Sequence, residues 1–417
     1  MSDGSIDLRA EARARAFSVP LDEINVADDQ LYRTDTHWPY FERLRRDAPV
    51  HRYEHPDLGP FWSISRYHDI VAVDSNWQDF SSTGSIVLED PADDFNTPMF
   101  IAMDPPKHDA QRKTVSPALS PANLQTMEPL IRERAGAILD GLPIGETFNW
   151  VDKVSIELTT MTLATLFDFP FEERRKLTRW SDVITAPEGA PGFGTEDERR
   201  AELFECVGYF MNLWNERVNA EPKGDLISMM AHSEATRNMD QMEFLGNLIL
   251  LIVGGNDTTR NTISGSIVAL NQFPEQYRKL TANPELLPSM VSETIRWQTP
   301  LSFMRRTAVR DVEMHGQTIK AGDKVAMWYI SGNRDETVIE NPNAYIIDRE
   351  RPRQHVSFGF GIHRCVGNRL AELQLRVIWE EIMKRFPVIE LTGEPSRIAS
   401  SFIHGYDDLQ VRIPRRT

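Results

Sequence analysis

The sequence predicts a mainly α-helical fold with smaller β-sheets, and three observations predict it. Asp240 to Phe273 reads as one helix of about 34 residues, roughly 50 Å long at 1.5 Å per residue, enough to cross a whole domain. Apolar residues recur at helical spacing in many further segments, among them Met127 to Leu139, Val154 to Leu166, and the series Leu370, Leu373, Val377, Ile382 and Phe386. The extended segments are short and bounded by turn glycines such as Gly316 and Gly322, so the sheets they form are small.

Composition narrows the class. The 417 residues carry 41% hydrophobic and 26% charged side chains, as in a globular protein with a sizeable core. No stretch approaches the ~18 uninterrupted apolar residues of a membrane span; the most apolar run, Leu248 to Val253, ends in Gly254-Gly255-Asn256-Asp257. A formal net charge of −16 excludes the basic footprint that nucleic acid or an anionic membrane requires. With only Cys206 and Cys365 there is no disulfide framework, which indicates a reducing compartment and the cytoplasm as default. Met1 to Arg15 alternates acids, arginines and alanines without the apolar centre of a secretory signal. Residues 1–34 read as an N-terminal arm and residues 35–417 as a single domain, because no repeat or linker divides them.

In chain order, a helix from Trp38 to Asp47 precedes extended segments around Val50–Tyr53 and Phe61–Ser65 and a second helix from Tyr67 to Ser75. Residues 82–104 mix Ile86, Val87, Phe95, Met99, Phe100 and Ile101 with acids and prolines, and a long apolar loop of this kind points to function. The helix opening at Asp104-Pro105-Pro106 puts His108 and Arg112 four residues apart, on one face. Helical sequence runs to about Thr185, breaks over the Gly/Pro-rich residues 186–194 and resumes from Glu196 to Val218. Within the long helix, Gly254-Gly255-Asn256-Asp257-Thr258-Thr259 interrupts the apolar run with two glycines, each costing about 1 kcal/mol against alanine. Strain of this sort in mid-helix points to function. Asn283-Pro284-Glu285 caps a helix through Trp297 that sets Glu293 and Arg296 three apart. A strand from Pro300 to Arg306 follows, with Leu301 and Phe303 on one face, and Ile398 to Ile403 forms a last loop.

Ser357-Phe358-Gly359-Phe360-Gly361-Ile362-His363-Arg364-Cys365-Val366-Gly367-Asn368-Arg369-Leu370-Ala371 carries the chemistry. Gly359 and Gly361 permit backbone angles and close approach that a side chain would block. Cys365 sits at a helix start, where unpaired amides and the helix dipole favour a thiolate, and Gly367 lets a flat ligand lie close to the backbone beyond the sulfur.

This stretch resembles the haem-binding signature of the cytochromes P450, Phe-Gly-x-Gly-x-His-x-Cys-x-Gly-x-x-Leu-Ala, at every fixed position. The resemblance implies a P450 fold with haem b (iron protoporphyrin IX) between the long central helix and the cysteine loop. It implies Cys365 as the axial thiolate and metal ligand, with His363 and Gly367 in the cofactor site. His108, Arg112 and Arg306 would bind the propionates, Arg305 being the competing choice for Arg306. In the Gly-Gly-x-Asp-Thr run, Gly254 makes room for O2, Thr258 holds it, and Asp257 relays protons. Glu293 and Arg296 match the structural Glu-x-x-Arg pair. Residues 82–104 would cover the substrate, and the break at 186–194 would be the hinge of a lid. Leu251, Gly254, Leu301, Phe303 and Ile403, or Phe402 in place of Ile403, would line an apolar substrate site.

The expected activity is insertion of one oxygen atom of O2 into an unactivated C–H bond. The longer match around Gly254–Thr262 and His363–Arg376 resembles the bacterial branch that hydroxylates alkanes and fatty acids at the terminal carbon; a terpene or steroid is the alternative. The chain carries no Gly-x-Gly-x-x-Gly dinucleotide fold and no iron–sulfur cysteine set. It is therefore expected to take electrons from NAD(P)H through a ferredoxin reductase and a ferredoxin, with Arg364 and Lys113 as candidate docking bases. A monomer without stable membrane insertion is expected. Two rivals remain: a haem-thiolate ligand sensor without turnover, against which the Asp257–Thr258 pair argues, and a zinc-binding structural protein using Cys365, His363, Cys206 and a further histidine, which lack ligand-pair spacing. A peroxide-driven hydroxylase is a nearer variant.

Overall fold

The computed structural model describes residues 7–91, 95–186 and 192–417. The long helix runs Gln241–Gln272, with the Asp240 carboxylate accepting from the Glu243 amide at its start, and is buried over most of its length among surrounding helices. The glycine pair does not break it. A Cβ on Gly255 would lie 2.6 Å from Leu163 Cδ2, so this glycine lets the helix Glu157–Phe167 approach; a Cβ on Gly254 would meet nothing within 4 Å. One glycine serves packing and the other leaves open space.

Apolar faces at helical spacing place Pro121–Asp140, Glu157–Phe167, Leu287–Gln298 and Asn368–Arg385 around the central helix in one large core. To one side lies a five-stranded sheet in the order Val50–His55, Gly59–Ile64, Lys324–Met327, Met304–Ala308, Phe80–Ser81. It is antiparallel except where Gly59–Ile64 runs parallel to Lys324–Met327. The strand expected from Pro300 begins only at Met304. Residues before it pair instead with the last loop: Leu301 bridges Ile403, and the Ser302 amide donates to the Phe402 carbonyl at 2.9 Å.

Residues 8–34, assigned by sequence to the arm, pack onto the body. The helix Leu8–Ser18 buries Ala12 and Ala16 against Trp38–Asp47, and Arg9 reaches the buried Asp35. The helices Arg175–Thr185 and Glu196–Val218 flank the expected break, of which residues 187–191 lie outside the described residues. Among the described residues, no helix is long and apolar enough to cross a membrane.

Three buried histidines make the fold acid-sensitive. Burial, then His404, pushes His37 down to about 3; burial pushes His355 to about 3 and His404 to about 4. A histidine freed by unfolding titrates near ~6.5, so each site contributes stability that is whole above that pH and lost as the pH falls below it. The expected slope for the three is at most about 4 kcal/mol per pH unit. Urea midpoints measured from pH 7.5 to 5 should fall steadily; a flat profile would contradict these assignments.

Candidate active site

One cavity of about 1410 Å³ lies between the central helix and the cysteine loop, larger than the ~300–1,000 Å³ of an ordinary small-ligand pocket. Cys365, Gly367, His363, Arg112, Arg306, Thr258, Gly254, Leu251, Leu301, Phe303 and Ile403 all line it. Phe402, the alternative to Ile403, lines it too, as do Ile86, Phe95 and Phe100 of the apolar loop. Asp257, His108, Glu293 and Arg296 stand behind the wall.

The cysteine loop is held by its neighbours. Gly359 and Gly361 adopt φ of 63° and 64°, where a side chain would be strained. The Cys365 amide donates to the Phe358 carbonyl at 2.8 Å, leaving the thiol exposed toward the cavity. Desolvation raises the thiol, opposed by the Gly367 amide and then by Arg112 and Arg364, which favour the thiolate. A residue missed in the sequence anchors this loop: the Asp74 carboxylate, buried at 1% side-chain exposure, accepts from the Phe360 amide at 2.7 Å, the Tyr329 hydroxyl at 2.9 Å and Arg306 Nη2 at 2.7 Å. A Cβ on Gly361 would lie 2.7 Å from the Asp74 carbonyl oxygen, so the turn needs glycine to pack here. The available signal was spacing: Tyr67, Ile70 and Asp74 share one helical face with Val73 beside them, an acid among buried residues.

Four basic or imidazole groups gather beside the thiol. His108 and His363 rings stand 4.3 Å apart, and His108 Nε2 and both ring nitrogens of His363 are buried without a partner. Burial, then Arg306, His108 and Arg112, pushes His363 down to about 2. Arg112 donates to the Arg364 carbonyl. Arg306 faces the cavity, whereas Arg305 turns away to pair with Asp90 at 2.7 Å. Orphaned ring nitrogens and two arginines next to an accessible sulfur fit a flat group that carries two carboxylates and a metal. Gly367 adds no side chain to obstruct it: the nearest atom to a Cβ there is Cys365 Sγ at 4.0 Å.

On the opposite wall, Thr258 Oγ1 donates to the Gly254 carbonyl at 3.0 Å. This bond uses the hydroxyl hydrogen within the helix and leaves the hydroxyl oxygen free to accept from the cavity. Asp257 points away from the cavity, fully buried, and pairs with Arg260 at 2.9 Å; Arg260 in turn pairs with Asp182 of the helix Arg175–Thr185 at 2.7 Å. Burial pushes the Asp257 carboxyl up and Arg260 pulls it down, and Asp257 Oδ2 has no partner. Arg260 and Asp182 had no sequence signal, since their pairing crosses between helices remote in the chain.

Glu293 and Arg296 form a buried pair at 2.7 Å, with Arg349 as third member at 2.9 Å from Glu293 and with Arg296 donating to the Asn333, Pro342 and Ala344 carbonyls. Asn333 Nδ2 reaches Ser357 Oγ at 2.7 Å, so this network braces the start of the cysteine loop. Cys206 is buried in the helical core, and among the described residues no cluster of ligating side chains includes Cys365. The zinc reading fails on that geometry.

A family model described as Cytochrome P450 matches residues 210–403. Linalool 8-monooxygenase of Pseudomonas putida is 37% identical over 400 residues, 93% of this chain and 98% of that protein. Methyl-branched lipid omega-hydroxylase of Mycobacterium bovis is 30% identical over 428 residues, 97% and 99% of the two chains. The solved structure of CYP153D17 from Sphingomonas sp. PAMC 26605 superposes with a TM-score of 0.88 at 52% identity, covering 95% of this chain and 100% of that one. Near-complete coverage by these relatives agrees with the cavity and its cysteine: the chain belongs to the cytochrome P450 family.

Proposed function

We propose that this P450 monooxygenase hydroxylates the terminal carbon of medium-chain alkanes or fatty acids. The observation that carries the reading is the juxtaposition of the Thr258 hydroxyl with a cavity walled by Leu251, Leu301, Phe303, Ile403 and the apolar loop, opposite Cys365. Such walls solvate an alkyl chain and offer few polar groups to a polar substrate. The name of the omega-hydroxylase relative supports terminal attack.

Bound haem b supplies O2 activation. The protein's part is to bind, orient and protonate. Cys365 Sγ would ligate the iron, His108, Arg112 and Arg306 would receive the propionates, and His363 and Gly367 would border the group. Thr258 Oγ1, whose hydrogen goes to the Gly254 carbonyl, would accept from a group in the cavity, and Gly254 leaves room beside it. Asp257, neutralised by Arg260 and raised by burial, delivers protons past Thr258. Electrons come from NAD(P)H through a ferredoxin reductase and ferredoxin, docked near Arg364 and Lys113, and the enzyme works as a cytoplasmic monomer. A second reading, hydroxylation of a terpene, is favoured by the name of the linalool relative.

Product analysis tests the reading. Holoenzyme with NADH, ferredoxin reductase and ferredoxin, given dodecane, dodecanoate or linalool, should yield terminal alcohols of the linear compounds. In-chain products, or oxidation of linalool alone, would overturn terminal hydroxylation. NADH consumption without any oxygenated product would favour the sensor.

A further inference from the structure

We infer that Arg199 anchors the carboxylate of a fatty-acid substrate, which makes fatty acids, rather than alkanes, the class this cavity is built to hold; the inference rests on the terminal-hydroxylase reading. Arg199 lies in the first turns of Glu196–Val218 and lines the cavity together with Ile184, Thr185 and Ala186 at the end of the preceding lid helix. Its Nη2 donates to the Val183 and Ala186 carbonyls, both at 2.9 Å. These bonds fix the guanidinium while leaving Nε and Nη1 without a partner among the described residues.

The lid makes this vacancy informative. In a chain with 62 acids against 46 lysines and arginines, an arginine readily finds a carboxylate. Every other described cation from 174 to 223 has found one: Arg174, Arg175, Lys176, Arg179, Arg200, Arg217 and Lys223 are each ion-paired. Arg199 has no carboxylate within reach among the described residues, and it is the one that faces the cavity. The remaining arginines of the wall, Arg112 and Arg306, lie on the cysteine side and are already engaged. Elsewhere the lining carries Asp28, Asp29, Asp57 and Glu89, which repel an anion, and Asp90, whose charge is met by Arg305 and Lys324. A fatty acid therefore has one favourable direction, with its carboxylate at the lid arginine and its methyl end toward Thr258.

The test compares binding of decanoate and decan-1-ol to full-length holoenzyme by optical titration, for wild type, Arg199→Gln and Arg199→Lys. Loss of a charge-assisted bond predicts a 10- to 100-fold rise in Kd for decanoate with Arg199→Gln, less than two-fold for decan-1-ol, and partial rescue by Arg199→Lys. In wild type, raising the salt should weaken decanoate binding and leave decan-1-ol unchanged. Equal weakening of both ligands, or an unchanged decanoate Kd, would overturn the anchor. If Arg199→Gln does not fold, a salt-independent decanoate Kd in wild type overturns it alone. Failure of the terminal-hydroxylase reading is seen separately, as wild-type product with oxygen away from the chain end.

Discussion

Asp74→Ala is expected to destabilise the protein by about 3–5 kcal/mol, the cost of stranding a buried partner charge. The alanine leaves the Arg306 guanidinium, the Tyr329 hydroxyl and the Phe360 amide without their shared acceptor, all of them buried or half-buried. The effect should extend beyond stability, because two of the three donors belong to the haem site: Phe360 lies in the cysteine loop and Arg306 on the cavity wall. Asp74→Asn keeps an acceptor for the amide and hydroxyl but removes the countercharge, so it should recover part of the stability. Chemical unfolding of the three proteins, with haem retention measured alongside, checks this. A loss below about 1 kcal/mol for the alanine variant would mean that the carboxylate bears little of the site's weight.

Thr258→Ala should lower product formation by about 100-fold, the lower end of what a positioned proton donor contributes, while leaving NADH oxidation and the haem spectrum nearly intact. Thr258 Oγ1 sits one hydrogen bond from the Gly254 carbonyl and lines the cavity, so its removal deprives the distal face of a hydroxyl without disturbing the helix. The electrons consumed should reappear as hydrogen peroxide or water. Thr258→Ser, which keeps the hydroxyl, should restore much of the coupling. Full activity of the alanine variant would remove Thr258 from the reaction.

The parts of the site that were legible in the sequence are those fixed by local spacing. The glycine-cysteine run dictates its own turn, Glu293 and Arg296 are one helical step apart, and Gly254 to Thr258 lie on a single helix; all could be read without knowing what packs against them. The long helix was legible because its apolar character persists for so many turns, although its glycines suggested an interruption that Leu163 fills. What escaped was tertiary. Asp74 meets the cysteine loop only after some 286 residues of chain have folded back on it. Arg260 and Asp182 pair between the central helix and Arg175–Thr185, and Leu301 leaves its expected strand for Ile403. No periodicity records such partners.

The central claim is that Cys365 provides a thiolate to haem iron. The direct measurement is the absorption spectrum of the reduced protein under carbon monoxide, for wild type and for Cys365→His. Wild type should show the red-shifted Soret band of a thiolate-ligated complex, and the histidine variant, if it retains haem, the shorter-wavelength band of a nitrogen ligand. A thiolate-type band that survives in Cys365→His, or one that never forms in wild type, would contradict the account.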